Sequence, residues 1–283
     1  MPQDIAHLSQ WIGRSEERHE RLAPFPANAL AATLDRADPA YGEGTSLPPL
    51  WHWLHFLPIH AMSDVGADGH AEKGGFLPPV TLPRRMWAGS RFTFHKPLVI
   101  GDTVSRVSTI AKVEHKVGRT GELVFVTVKH LLSGAGGLAI EEEHDIVYRE
   151  AAQPGAAAPA PVAAPIEADW RRPIHPDAVL LFRYSALTFN SHRIHYDLEY
   201  VTKVEGYPGL IVHGPLIATL LLDGLRRQKP EARVAKFSFR AVAPIFHIDA
   251  FSVCGRFIGP GQAKLWAEKV GRALCMEAEA EFS

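Results

Sequence analysis

Residues 214–227 read GPLIATLLLDGLRR, and no other stretch narrows the possible folds so far. Leu216, Ile217, Leu220, Leu221 and Leu222 leave little polar surface before Asp223, so a helix here is apolar nearly all round and has to be buried. Pro215 suits the first helical position, where its missing N–H costs nothing, and Arg226 and Arg227 suit the negative C-terminal end. No apolar window reaches the roughly 18 residues of a membrane span anywhere in the chain. Other parts of the same protein must therefore wrap this helix.

Short β-type runs are available for the wrapping. After the helix come 234–243, 250–258, 263–270 and 273–282, separated by Pro and Gly turns. The last alternates Met276, Ala278, Ala280 and Phe282 against Glu277, Glu279 and Glu281, the pattern of a strand with one buried face. The first half shows a similar set at 90–98, 103–114, 122–132 and 139–149, with Gly101-Asp102 and Gly118 to Gly121 as turns. An antiparallel sheet around a buried helix is the hotdog arrangement. Both halves place helical signals before strands, which predicts an α+β double hotdog: two antiparallel sheets, each wrapping a helix, fused in one chain.

At 283 residues the chain exceeds the usual single core, which also favours two domains. The boundary is residues 151–168, AAQPGAAAPAPVAAPIEA, where Pro and Ala replace periodic apolar residues and neither helix nor ladder is favoured. This divides the chain into a hotdog-like domain over 1–150, a linker over 151–168 and a second domain over 169–283. With 30 Lys plus Arg against 31 Asp plus Glu, the chain lacks the basic footprint of a nucleic-acid binder. The N-terminus turns charged before any apolar run of signal-peptide length, and a cytoplasmic location without membrane attachment is expected. Cys254 and Cys275 have no Cys-x-x-Cys spacing, so both are read as core residues rather than disulfide or zinc-thiolate partners.

The chemistry is concentrated just before the buried helix. Residues 184–197 read YSALTFNSHRIHYD, and the helix is entered through IVHGP. Backbone donors near Gly214 and Leu216 cannot be satisfied within the helix and form a site for a developing negative oxygen. If the sheet wraps the helix, the preceding segment runs along its mouth and brings Asn190 and His195 to those amides. An acid/base group facing an oxyanion site suits chemistry on a thioester. The bland readings stand beside this one: His195 as a structural histidine, Asn190 as a turn residue bonding its own backbone, and His213 as a packed entry residue rather than a polarising one.

FNSHRIHYD followed by GYPGLIVHGPLIA resembles the MaoC-like enoyl-CoA hydratases in spacing and order. His195 falls on that family's catalytic histidine, Asp197 on the following aspartate and His213-Gly214 on the helix start. Asn190 stands where the family has its catalytic aspartate, and His192 and Arg193 replace an Asn-Pro pair. A neutral Asn cannot take up a proton. With WHWLHFLP at 51–58 and GGFLPPVTLPRRMWAGSRFTFHKPL at 74–98, the whole chain is similar to the double-hotdog group of mesaconyl-C4-CoA hydratases, itaconyl-CoA hydratases and type 2 hydroxyacyl-thioester dehydratases. That resemblance implies reversible hydration of a C=C bond conjugated to a CoA thioester, without a cofactor. It implies that His195 exchanges a proton with water, that Asn190 orients that water, and that amides around Gly214 hold the thioester oxygen. Tyr184 and Asp197 are supporting residues, Asp197 either capping the helix that starts at Leu198 or steering His195.

A dicarboxylic acyl-CoA would need a cationic partner for its free carboxylate, and Arg193, Arg85 and Arg84 are the candidates, with CoA phosphates as the other expectation for Arg84 or Arg85. His52, His55, His60, Asp64 and His70 cluster in the sequence, yet they lack the His-Glu-x-x-His pattern. Packing is preferred to a metal site, with Trp51, Trp53 and Phe56 lining a channel between the halves. The first half has no counterpart of the motif pair, so one active site per chain is expected, and a further homodimer is plausible. The alternatives are a fatty-acid 3-hydroxyacyl-thioester dehydratase, a hotdog thioesterase and a non-catalytic acyl-CoA binding module.

Overall fold

The computed structural model describes residues 5–118, 121–150 and 160–283. In chain order its elements are α1 (Ile5–Ser9), β1 (Ser15–Arg21), α2 (Pro24–Thr33), β2 (Arg84–Phe94), β3 (Thr103–Gly118), β4 (Gly121–Gly134), β5 (Gly137–Arg149), β6 (Trp170–Ile174), α3 (Ala178–Leu187), α4 (Leu198–Lys203), α5 (Gly214–Gln228), β7 (Val234–Ala241), β8 (Phe251–Gly259), β9 (Gln262–Lys269) and β10 (Leu274–Phe282). All ten strands form one antiparallel sheet in the order β1-β3-β4-β5-β2-β7-β10-β9-β8-β6.

Numbering the strands outward from the centre gives the same order in each half, as a duplicated hotdog requires. The two halves are nonetheless one continuous sheet, because β2 and β7 pair from Gly89↔Arg240 to Thr93↔Lys236. Gly89 permits this join: a Cβ there would lie 2.4 Å from the Phe239 carbonyl oxygen, so only glycine allows the two backbones to approach. The expected strands appear within a few residues of their sequence bounds. Two edge strands were not foreseen, β1 (SEERHER) and β6 (WRRPI), since charge in one and proline in the other hide the apolar alternation.

α5 is buried from Leu216 to Leu225 and packs on β8, β9 and β10. Its N-half counterpart α2 is ten residues long and buries only Ala27, Leu30 and Ala31. Asp223, 2 % exposed, accepts from Arg36, from Arg172 Nη1 (2.9 Å) and from Arg227 Nε (2.7 Å), which ties the end of α5 to β6 and to the segment after α2. Cys254 and Cys275 are free and buried on β8 and β10, and burial pushes their thiols up to about 12 and about 11.

Of the proposed linker, residues 151–159 lie outside the described residues, as do 119–120 in the Gly118 to Gly121 turn. Within 160–168 the chain runs along the second half, with Ala163 bridged to Ala273. No helix among the described residues is long and apolar enough to cross a membrane.

Candidate active site

The motif loop starts where α3 ends. Phe189 takes a left-handed conformation (φ 48°), uncommon for a bulky residue, and turns the chain off the helix. Asn190 Oδ1 then accepts from the His192 N–H (3.0 Å), the local turn bond that Asn commonly makes, while its Nδ2 has no partner among the described residues. A single 3-10 turn over Arg193–His195 delivers His195 to the interior, where it is 8 % exposed.

His195 Nδ1 bonds the Ile211 carbonyl at 2.7 Å. A carbonyl only accepts, so Nδ1 carries the proton and Nε2 of the neutral ring keeps its lone pair. Burial pushes the imidazole down to about 4, against the pull of that carbonyl, and the ring is neutral at pH 7. The ring stacks on His213 (3.7 Å between centroids, 18°), whose Nε2 shares a hydrogen bond with Ser185 Oγ (2.9 Å) and whose edge meets Tyr184.

His213 is also the N-cap of α5. The first α5 amide to bond backwards is Ile217, to the His213 carbonyl (3.1 Å); Pro215 has no N–H, so the Gly214 and Leu216 amides are left without an acceptor among the described residues. A Cβ added to Gly214 would meet nothing within 4 Å. Open space thus adjoins two unused donors at the positive end of the buried helix.

Two of the expected roles need correction, those of Arg193 and Arg84. Arg193 is not free to hold a substrate carboxylate. Its guanidinium donates to Asp197 Oδ2 through Nε (3.0 Å) and Nη2 (2.8 Å) and to the Ala67 carbonyl through Nη1 (3.0 Å), and it covers the Tyr200 ring. Asp197 in turn caps α4 by accepting from the Tyr200 N–H (2.9 Å), which is the first of the two roles expected of it. Arg84 is spent on the 205–207 segment, donating to the Glu205 carbonyl (3.0 Å) and the Tyr207 hydroxyl (3.1 Å).

Arg85 differs. It sits opposite Tyr148 on β5, has no carboxylate partner among the described residues, and its charge bears on His70, Lys73, His144 and His192. The Tyr148 ring is fully buried and its hydroxyl has no hydrogen-bond partner of normal length; burial pushes this phenol up while Arg85 pulls it back.

The histidines grouped in the sequence are separated in space. His52 is buried against Glu142 (3.2 Å), His55 bonds Glu20 (2.8 Å), and His60 and Asp64 are exposed. Of the expected channel residues only Trp53 reaches the junction, where it meets Trp87 and Phe239; Trp51 and Phe56 are interior. Sequence reasoning missed the placement of Asp68 and His70, which lie against the motif loop: the His70 ring meets the His192 ring at 3.8 Å, tilted by 41°, and Ser191 Oγ donates to the Gly69 carbonyl (2.6 Å). No local pattern marks a contact that spans more than 120 residues.

This geometry can be set beside known proteins. Residues 50–247 match the family described as hydroxyacyl-thioester dehydratase type 2. The chain belongs to that family. The matched segment includes Asp68, His70, Arg85, the motif loop and all of α5. The chain is 47 % identical over 249 residues to a mesaconyl-C4-CoA hydratase of Chloroflexus aurantiacus, covering 87 % of this chain and 88 % of that one. It is 28 % identical over 263 residues to the mitochondrial type 2 hydroxyacyl-thioester dehydratase of Schizosaccharomyces pombe, covering 82 % and 87 %. A MaoC-like dehydratase structure from Phytophthora capsici superposes with a TM-score of 0.70 at 14 % identity, over 99 % of both chains, which supports the double-hotdog fold.

Proposed function

We propose that this protein is a hydro-lyase that adds water reversibly across the C=C bond of an enoyl-CoA thioester. The observation that carries this reading is that His195, its Nε2 lone pair uncommitted, stacks on His213, the residue that opens the buried helix directly before the unused amides of Gly214 and Leu216. The amides receive the thioester oxygen. His195 takes a proton from water as the water oxygen bonds the β-carbon, and the electrons of the double bond move onto the thioester as an enolate, where the positive helix end stabilises the charge. Protonation of the α-carbon completes the addition, and the reverse sequence is dehydration. Asn190 Nδ2 orients the attacking water, its Oδ1 being committed to the turn. A thioesterase would need a carboxylate to drive water at the carbonyl carbon. The carboxylates next to the motif loop are engaged otherwise, Asp197 as a helix cap and Asp68 with His70.

Within this class we favour a branched dicarboxylic substrate, mesaconyl-C4-CoA giving citramalyl-CoA. Arg85 supports it: a half-buried guanidinium without a carboxylate partner among the described residues, opposite the buried Tyr148 and acting on His192, is the cation available to a free carboxylate on the hydrated carbon. The 47 % identity to a hydratase named for that thioester points the same way. The test is a panel of mesaconyl-C4-CoA, itaconyl-CoA and crotonyl-CoA, followed by loss of enoyl-thioester absorbance. Fastest turnover of a branched diacid is expected. Preference for crotonyl-CoA would replace this substrate by a fatty-acyl thioester while leaving the reaction class in place.

A further inference from the structure

Two arginines open β2, and the sheet sends them to opposite faces. Arg84 and Arg85 lie opposite Arg149 and Tyr148 on β5; side chains directly opposite each other share a face, and successive ones alternate. On one face Arg84 pairs with the Glu205 carboxylate (3.4 Å) and donates to the Tyr207 hydroxyl, which Arg149 also reaches (3.4 Å). On the other face Arg85 meets no carboxylate among the described residues, and its neighbour is the Tyr148 phenol. One guanidinium is satisfied and the next has donors to spare.

The Tyr148 ring packs among Val80, Leu82, Val124 and Ile146 and is fully buried. A hydroxyl in such a place usually has a partner at hydrogen-bond distance, and this one has none. Burial pushes the phenol up, and Arg85 pulls it back by its charge and then by hydrogen bonding, so the guanidinium stands at the hydroxyl, farther off than a normal bond. A second cation lies over the ring: Lys73 Nζ is 5.7 Å from the ring centre and donates to the Leu82 carbonyl (2.6 Å). Burial and then the Arg85 charge push Lys73 down. Asp68 is the acid that bears on Lys73, but its oxygens are bonded to the His70 ring and backbone. Neither cation has an ion-pair partner among the described residues, and an anion brought by a ligand would relieve their mutual repulsion.

We propose that Tyr148 is the positioning residue of the carboxylate site: its hydroxyl oxygen accepts from Arg85 and holds the guanidinium with its remaining donors turned to a carboxylate of the substrate. The proposal rests on the dicarboxylic reading above and names the residue that makes Arg85 selective. Arg85 also acts on His70 and His192, and the His192 ring meets that of His195 edge-on at 5.4 Å, so the site belongs to the motif-loop side of the N-terminal half. A guanidinium anchored at one edge loses less freedom when its other edge takes a carboxylate in a two-point contact. Lys73 adds positive potential from over the ring.

The experiment compares kcat/KM for mesaconyl-C4-CoA and for crotonyl-CoA, which lacks the carboxylate, in the wild type, Tyr148→Phe, Arg85→Leu and the double variant. Phe keeps the ring in its apolar cluster and removes only the hydroxyl. Both thioesters are read on one sample, so their ratio does not depend on the fraction of folded protein. In Tyr148→Phe the ratio should fall about tenfold, through KM for the diacid with its kcat within about threefold. In the Arg85→Leu background the same substitution should change the ratio by less than about twofold, because Tyr148 acts through Arg85. A Tyr148→Phe ratio within about twofold of wild type, whether both thioesters keep their rates or lose them equally, would overturn the positioning role alone. So would a further tenfold loss on top of Arg85→Leu. The substrate reading fails separately, in the wild type by itself: a ratio favouring crotonyl-CoA would remove the dicarboxylate and this role together, and hydration of neither thioester would remove the reaction as well.

Discussion

At the scale of single residues, the proposed function assigns the reaction to His195 and the selection of substrate to Arg85. His195→Ala should lower kcat by about 10²–10⁴-fold while circular dichroism shows the chain still folded; turnover near the wild-type rate would remove His195 from the mechanism. Arg85→Leu should raise KM for mesaconyl-C4-CoA by about 10- to 100-fold, the worth of a charge-assisted hydrogen bond, and leave crotonyl-CoA nearly unaffected. Equal effects on both thioesters would assign Arg85 to CoA or to structure. His195, His213 and Gly214 were legible in the sequence because one short motif and one helix start carry them. Arg193 misled because its spacing of four from Asp197 already offered an internal ion pair. Asp68 and His70 were illegible for a different reason: their partners lie in the other half, and nothing local to residues 66–70 encodes the meeting.

Among the elements, α5 was the most readable, since an all-round apolar stretch has no stable place except inside. Its polar exception, Asp223, is held by three arginines from different parts of the chain. Asp223→Ala would strand those cations at a largely buried position, and a loss of about 3–5 kcal/mol in urea unfolding is expected. A change below about 1 kcal/mol would show that the knot contributes little beyond geometry. The edge strands β1 and β6 were not readable: a strand at the rim with one wet face needs no apolar run, so periodicity is silent there. The motif loop was readable as polar and reactive, but its bracing by residues 67–69 required the structure.

For the whole molecule, the sequence pointed to a duplicated hotdog without revealing how the halves join. The join is the β2–β7 pairing, and it brings Arg85 and the 66–70 segment of one half to the motif loop of the other, where Arg85 acts on His192. The same packing keeps many imidazoles neutral: burial lowers His130 to about 4, His144 to about 3, His192 to about 2 and His195 to about 4. The unfolded chain takes up these protons near pH 6.5, where the folded one does not. Stability is therefore full above about pH 6.5 and declines as pH falls toward 4, and Tm should drop steadily across that window. A flat Tm between pH 7 and 5 would contradict the neutral state of these buried imidazoles. The central claim, that this molecule adds water to carbon rather than to the thioester carbonyl, is tested most directly by one reaction of mesaconyl-C4-CoA in heavy-oxygen water, read by mass spectrometry with thiol detection in parallel. The account predicts one heavy oxygen in an intact citramalyl-CoA and no free thiol. Heavy oxygen in a released carboxylate with free CoA, or no reaction at all, would contradict it.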